Sequence, residues 1–215
     1  MILVRHGQTD WNKEGIFRGR IDVSLNAAGV REAEIIGEKL RGTDPDAVCS
    51  SPLSRAMDTA RCIASFRGRP VKTLQEFVDM DFGAWQGLSR AKVRERYPKL
   101  FEKWVSRPDR VRIPGAETLG GVRKRALKGL DALLEANGGG TVVVVSHGLV
   151  NKLLLCAVLG LGDSQFWKIK QDNGAINLFT HTRDGTKLVL MNDTTHLRSI
   201  DGIVDGMKSP ENPLG

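Results

Sequence analysis

Between Thr141 and Ser146 the chain passes through an unbroken run of valines, Val142 to Val145. A strand with one wet face alternates apolar and polar residues. A continuous β-branched run belongs to a strand covered on both faces, which is the condition of a parallel sheet with helices above and below. Other segments fit that architecture. Residues 1–4 read as a short buried strand, 46–50 as a second and 71–74 as a third. Helical spacing appears over 27–40, with Ala33, Ile36, Gly37 and Leu40 on one face, and Gly42 follows as a stop. Ser51-Pro52 reads as a helix cap with proline at the first helical position, opening a helix that carries Leu53, Ala56, Met57, Ala60, Ile63 and Ala64 inward.

Residues 79–87 read as a loop, 89–106 as a basic helix, 118–136 as a long helix and 149–159 as another. The segments 175–182 and 187–192 flank Asp184-Gly185 and read as a hairpin. Alternating strands and helices predict an α/β three-layer sandwich: a mainly parallel central sheet, helices on both faces and an antiparallel edge. The expected organisation is a single domain over 1–200, a basic helical insertion or lid at about 88–117, and a C-terminal tail over 201–215.

Charge adds a direction. The formal net charge is +7. Between Ser89 and Glu117 nine Lys/Arg face four acids, so that segment alone carries +5 of it. A solvated helical face accounts for such a run, and so does a surface that attracts anions. Nucleic acid is not expected as a partner, because no interleaving of basic and aromatic residues and no binding motif is present. No apolar run approaches the ~20 residues of a membrane span, and no basic-then-apolar leader opens the chain. The expectation is a cytoplasmic protein without membrane contact, monomer or homodimer. Cys49, Cys62 and Cys156 are widely spaced among apolar neighbours and read as core residues, with no disulfide framework or metal spacing.

Open parallel sheets bind ligands beyond the carboxyl ends of their strands. Arg5-His6-Gly7 follows the first strand, Ser50-Ser51-Pro52-Leu53-Ser54-Arg55 the second, and Ser146-His147-Gly148 the valine strand. Two of these stretches enter helices, whose free N–H groups and dipoles favour anions. Each signal alone has a plain structural reading. Gathered on one sheet edge, two arginines and two histidines are costly without an anion, and a tetrahedral phosphate matches guanidinium forks.

These stretches resemble the histidine phosphatase superfamily, the phosphoglycerate mutase-like group. Arg5-His6-Gly7 with Thr9 and Asn12, SSPLSRAMDTA over 50–60, DMDFGAWQG over 79–87 and SHG over 146–148 resemble its motifs in order. GAETL over 115–119 and NDTTHL over 192–197 are similar to further family stretches. The resemblance implies catalysis by His6 as an in-line nucleophile forming a phosphohistidine. Arg5 and Arg55 would keep His6 neutral, and its second ring nitrogen should donate to a backbone carbonyl. Arg5, Arg55 and His147 would hold the phosphoryl oxygens, with Asn12 and the amide of Gly148 as neutral donors. Gly7 and Gly148 would let backbone approach the phosphate closely.

The family acid stands four residues before Gly83, which gives Asp79, where many relatives have glutamate. Glu76 and Asp81 are the rivals. Thr9, Arg18 and Gly19 complete the implied substrate-binding set, Arg18 standing where several relatives carry glutamine. His181 and His196 read as structural. Among the tryptophans Trp85, beside the acid loop, is the one suspected of touching substrate. No cofactor and no metal are implied. The implied function is a phosphomonoester hydrolase acting on a small anionic phosphorylated metabolite. A cofactor-dependent mutase and a phosphate-binding module without turnover are the alternatives; the compact stretch after the acid loop favours the phosphatase.

Overall fold

The computed structural model describes residues 1–198, and the expected tail at 201–215 lies outside the described residues. Strands β1 (Ile2–Arg5), β2 (Ala47–Ser50), β3 (Val71–Thr73), β4 (Val142–Ser146), β5 (Ile176–Thr182) and β6 (Gly185–Asp193) form one sheet in the order β3-β2-β4-β1-β5-β6. β3, β2, β4 and β1 run parallel, and β5 and β6 are antiparallel additions at one edge.

Side-chain alternation sorts the strands into two cores. Ile2, Val4, Val48, Val143 and Val145 face one layer, built on α2 (Ala27–Lys39) and α3 (Ser54–Ser65) through Ile36, Ala56, Ala60 and Ile63. Leu3, Cys49, Val142 and Val144 face the other, built on α6 (Leu119–Ala136) and α7 (Gly148–Val158) through Val122, Leu130, Val150 and Leu153. The valine run is needed because both of its faces are core; each such side chain contributes about 1.5–3 kcal/mol by burial.

Two expectations shift. The helix after β2 begins at Ser54, with Leu53 at the cap position and no side-chain cap, two residues later than the Ser51-Pro52 signal suggests. The Ser51 hydroxyl is engaged elsewhere, 2.7 Å from a ring nitrogen of His147. The basic 89–106 helix is two helices, α4 (Arg90–Arg96) and α5 (Pro98–Ser106), broken at Tyr97, whose φ of −132° and ψ of 51° are not helical. Pro98 imposes that break by disfavouring α geometry at the residue before it. A short helix, α1 (Asp10–Lys13), follows β1 and carries a capping box in which Thr9 and Asn12 satisfy each other's backbone amides. α4 and α5 are not a loose flap: Val93, Phe101 and Trp104 join the α6–α7 core. Among the described residues no helix is long and apolar enough to cross a membrane.

Candidate active site

Strand register assembles the site. Arg5 of β1 lies opposite Ser146 of β4, and the amide of His6 donates to the Ser146 carbonyl at 3.1 Å. The Ser51 amide donates to the Val145 carbonyl at 3.0 Å, closing the row from the β2 side. His6, His147 and Ser51 therefore leave neighbouring strands at one level. The rings of His6 and His147 meet edge to face with centroids 5.2 Å apart.

The His6 ring is fully buried. Its Nδ1 lies 2.6 Å from the Gly7 carbonyl oxygen, so Nδ1 carries the proton and donates, and Nε2 keeps its lone pair. Burial first, then Arg55, Arg18 and Arg5, hold its pKa well below the ordinary histidine value. His147, at the N-cap of α7, is held low for the same reasons, with His6 adding to them. Its Nε2 faces the Ser51 hydroxyl, and its Nδ1 points toward Asp79, 3.9 Å from Oδ2.

Three guanidiniums surround the pair. Arg55, fully buried, donates to the carbonyls of Ile21 (3.1 Å) and Gly19 (2.9 Å) and to Asp79 Oδ2 (3.4 Å). Arg5 donates to the Gln171 carbonyl, and desolvation pulls its pKa down to about 10 against the opposing fields of Asp172 and Asp79. Arg18 is half-buried by surface area yet strongly desolvated, and with Arg5 nearby its pKa falls to about 9. Asp79, nearly buried, also accepts from the Met80 amide at 3.0 Å.

Buried polar atoms are ordinarily partnered. Among the described residues eleven buried side-chain atoms are not, and five of them cluster around the histidine pair: Nε of Arg5, Arg18 and Arg55, Nε2 of His6 and Nδ1 of His147. Those five belong to residues whose charges act on one another, so these donors and the free lone pair of His6 gather at a single place.

Above that place opens a cavity of about 220 Å³, lined by Arg5, Arg18, Asp79, Asn12 and Gly148 among others. His6, His147 and Arg55 are buried and do not line it. Asn12 Oδ1 is engaged by the Thr9 amide and by Asn173 Nδ2, both at 3.0 Å. Thr9 caps α1 and does not line the cavity, and neither does Gly19. Gly19 takes φ +54° beside Gln86, a left-handed conformation suited to glycine that aims its carbonyl at Arg55.

The glycines serve neighbours other than those expected. A Cβ on Gly148 would stand 3.1 Å from the Arg5 guanidinium carbon, so this glycine makes room for the arginine. Gly7 packs against the backbone of Gly29 in α2. Glu76 sits against Gly129 of α6, away from the cavity, and Asp81 caps its own loop by accepting from the Gly83 amide at 2.8 Å. Trp85 is wholly buried among Phe17, Phe101 and Trp104 and does not reach the cavity; the tryptophans that line it are Trp11, Trp104 and Trp167.

Sequence reasoning missed several contributors. Arg125 of α6 binds the carbonyls of Glu76 (2.8 Å), Val78 (2.6 Å) and Asp79 (3.1 Å) and makes a forked pair with Glu117, so it fixes the segment that carries Asp79. Gln171 was legible only as an ordinary polar residue, and Ser51 as a helix cap and not as a partner of His147. Lys152 left a trace: it is the one charged residue of α7.

Known proteins share this arrangement of chain. The profile of the Histidine phosphatase superfamily (branch 1) matches residues 1–194. Phosphoserine phosphatase 1 of Hydrogenobacter thermophilus is 33% identical over 198 residues, covering 92% of this chain and 93% of that one. Among solved structures, Bacillus stearothermophilus YhfR superposes with a TM-score of 0.88 at 25% identity, over 92% of this chain and 98% of its own. A phosphoserine phosphatase from Entamoeba histolytica, in complex with phosphoserine, superposes with a TM-score of 0.83 at 27% identity over 92% and 98%. With its motifs at the ends of β1, β2 and β4 and the match running to residue 194, the chain belongs to the histidine phosphatase superfamily.

Proposed function

We propose that the protein hydrolyses small phosphomonoesters without a metal, through a phosphohistidine on His6. One observation carries the reading: a neutral, buried imidazole with its lone pair unengaged, set among three guanidiniums that also keep unpartnered N–H groups. Relatives named as phosphoserine phosphatases support a small phosphorylated metabolite as substrate.

The chemistry follows from the atoms. A phosphoryl group entering from the cavity side reaches the buried His6. Nε2 attacks phosphorus in line, the N–P bond forms, and the ester P–O bond breaks. Nδ1–H, tied to the Gly7 carbonyl, holds the ring orientation as positive charge develops. Arg5, Arg55 and Arg18 meet the equatorial oxygens, and His147 donates through Nδ1. The incoming dianion reverses the field that disfavours a proton on His147. Asp79, which Arg55 and Arg125 fix from its side-chain and backbone sides, delivers a proton to the leaving oxygen. It then accepts one from the water that cleaves the N–P bond, returning phosphate and neutral His6. Asn12 and the Gly148 amide add neutral donors. The basic α4–α5 segment, whose Arg90 lines the cavity, draws anions toward the opening.

Phosphate release from a panel of phosphomonoesters in the presence of EDTA tests the reading, with His6→Ala in parallel. Release by the wild type that His6→Ala abolishes supports it. Release abolished by EDTA contradicts the metal-free step. Phosphoryl return to a second hydroxyl in place of release identifies a mutase.

A further inference from the structure

The two buried histidines of the site are tethered to partners of different kinds. Nδ1 of His6 faces a carbonyl oxygen, that of Gly7, at 2.6 Å. Nε2 of His147 faces a hydroxyl, that of Ser51, at 2.7 Å. A carbonyl only accepts, so it fixes which nitrogen of His6 carries the proton. A hydroxyl both donates and accepts, so the direction of the Ser51–His147 bond is settled by what else each partner meets.

Ser51 is fully buried and held at both ends of its backbone. Its amide donates to the Val145 carbonyl at 3.0 Å, and its carbonyl accepts from the Ser50 hydroxyl at 2.8 Å. Its Oγ accepts from the Leu53 amide at 3.4 Å. Among the described residues the Ser51 hydroxyl proton then has one acceptor, Nε2 of His147. Reversing that bond strands the proton in the interior as an unmade hydrogen bond. The far side of the ring points the same way. Nδ1 of His147 is buried without a hydrogen-bond partner and lies 3.9 Å from Asp79 Oδ2. In the reaction above it also meets a phosphoryl oxygen. Both neighbours are oxygens, which attract an N–H and repel a lone pair. The ring is held neutral by burial and by the surrounding arginines, so it has a single proton to place.

We infer that Ser51 is a positioning residue: its hydroxyl donates to Nε2 of His147 and so places the ring proton of His147 on Nδ1, aimed at the phosphoryl group. The inference rests on the phosphatase reading above. Both imidazoles then carry their proton on Nδ1 and do opposite work. The carbonyl tether leaves His6 a lone pair with which to attack, and the hydroxyl tether leaves His147 an N–H with which to hold an oxygen. Ser51→Ala frees His147 to invert its tautomer, and the inverted ring turns a lone pair toward that oxygen.

Ring-nitrogen NMR of protein made with isotopically labelled histidine reads the tautomer without turnover. At about pH 7.5 the rings are neutral, and the signals lost in His147→Asn assign this one. The wild type should show His147 protonated at Nδ1 and bare at Nε2. Ser51→Ala should give a mixture of tautomers, lower kcat/KM by about 3- to 30-fold and weaken vanadate inhibition by a similar factor. A wild-type ring protonated at Nε2, or at both nitrogens, would overturn the inference. So would a tautomer unmoved in Ser51→Ala, whatever happens to activity, because a merely structural role costs activity without inverting the ring. The wild-type spectrum needs no variant, so poor folding of Ser51→Ala does not shelter the inference. Phosphate release separates the two levels. His6-dependent release with His147 protonated at Nε2 refutes the assignment of Ser51 alone, and no release by the wild type refutes the phosphatase reading.

Discussion

The guanidinium of Arg125 holds the backbone carbonyl of Asp79 at 3.1 Å, while the Asp79 side chain faces Arg55 at 3.4 Å. The residue proposed as the acid is thus fixed from two sides by two cations, one on the backbone and one on the carboxylate. Arg125→Met removes the first and leaves carbonyls of 76, 78 and 79 without a donor. It should lower kcat by about 10- to 100-fold with little change in KM, at a stability cost of about 1.5–3 kcal/mol. A leaving group that needs no proton, such as p-nitrophenolate, should recover much of the loss in the first step. Equal losses for good and poor leaving groups would contradict the positioning role.

Gly148 and Arg5 form a second tight relationship. Gly148→Ala places a methyl 3.1 Å from the guanidinium carbon, and because that contact is to a side chain held by the Gln171 carbonyl, the arginine must shift. The expected result is a loss of about 10- to 100-fold in kcat/KM and weaker inhibition by vanadate, with the fold retained. An unchanged vanadate affinity would show that Arg5 does not meet the phosphoryl oxygens.

How much of this was legible in the sequence depends on which neighbours a residue needs. The valine run announces a doubly covered strand, and residues at strand ends are placed by the sheet itself, so Arg5, His6, Arg55 and His147 could be grouped from order alone. Ser51 misleads because Ser-Pro is a local helix-start signal, whereas its hydroxyl is engaged by His147, 96 positions away. The break at Tyr97-Pro98 was written in the sequence and outweighed by the run of basic residues. Arg125 reads as a polar position on an amphipathic helix; its three carbonyl partners lie 46 to 49 residues earlier, and nothing local marks them. Lys152 carried a local signal, as the one charged residue of α7, that composition alone does not connect to a cavity.

Acid sensitivity follows from the two buried histidines. Both have folded-state pKa values well below the ordinary value near 6.5. Between the folded value and about 6.5, the unfolded chain binds protons that the folded chain does not, so stability rises with pH in that window. It is fully present above about pH 6.5 and is lost as pH falls toward the folded values, by up to ~1.4 kcal/mol per pH unit for each histidine. Denaturant titrations at pH 7.5 and 5 should show this, and His6→Ala or His147→Ala should each reduce the slope by about one proton. A slope untouched by either variant would mean the rings are not neutral in the folded state.

The α4–α5 charge predicts a salt effect. Arg94 stacks over Phe101 at 5.1 Å, and Arg96 is exposed. Neither lines the cavity, so both act at long range. The double change Arg94→Gln/Arg96→Gln should raise KM a few-fold at ~0.01 M ionic strength, where screening extends about 30 Å, and hardly at all at 1 M, where it extends about 3 Å. An equal effect at both salts would remove the steering role.

The central claim is a covalent phosphoryl–His6 intermediate, and the stereochemical course at phosphorus tests it most directly. An isotopically chiral phosphate ester would be turned over in EDTA and the configuration of the phosphoryl product determined. Two in-line displacements, first by His6 Nε2 and then by the acceptor, predict net retention. Net inversion would mean that the acceptor attacks the substrate directly, and the role assigned to His6 would be wrong.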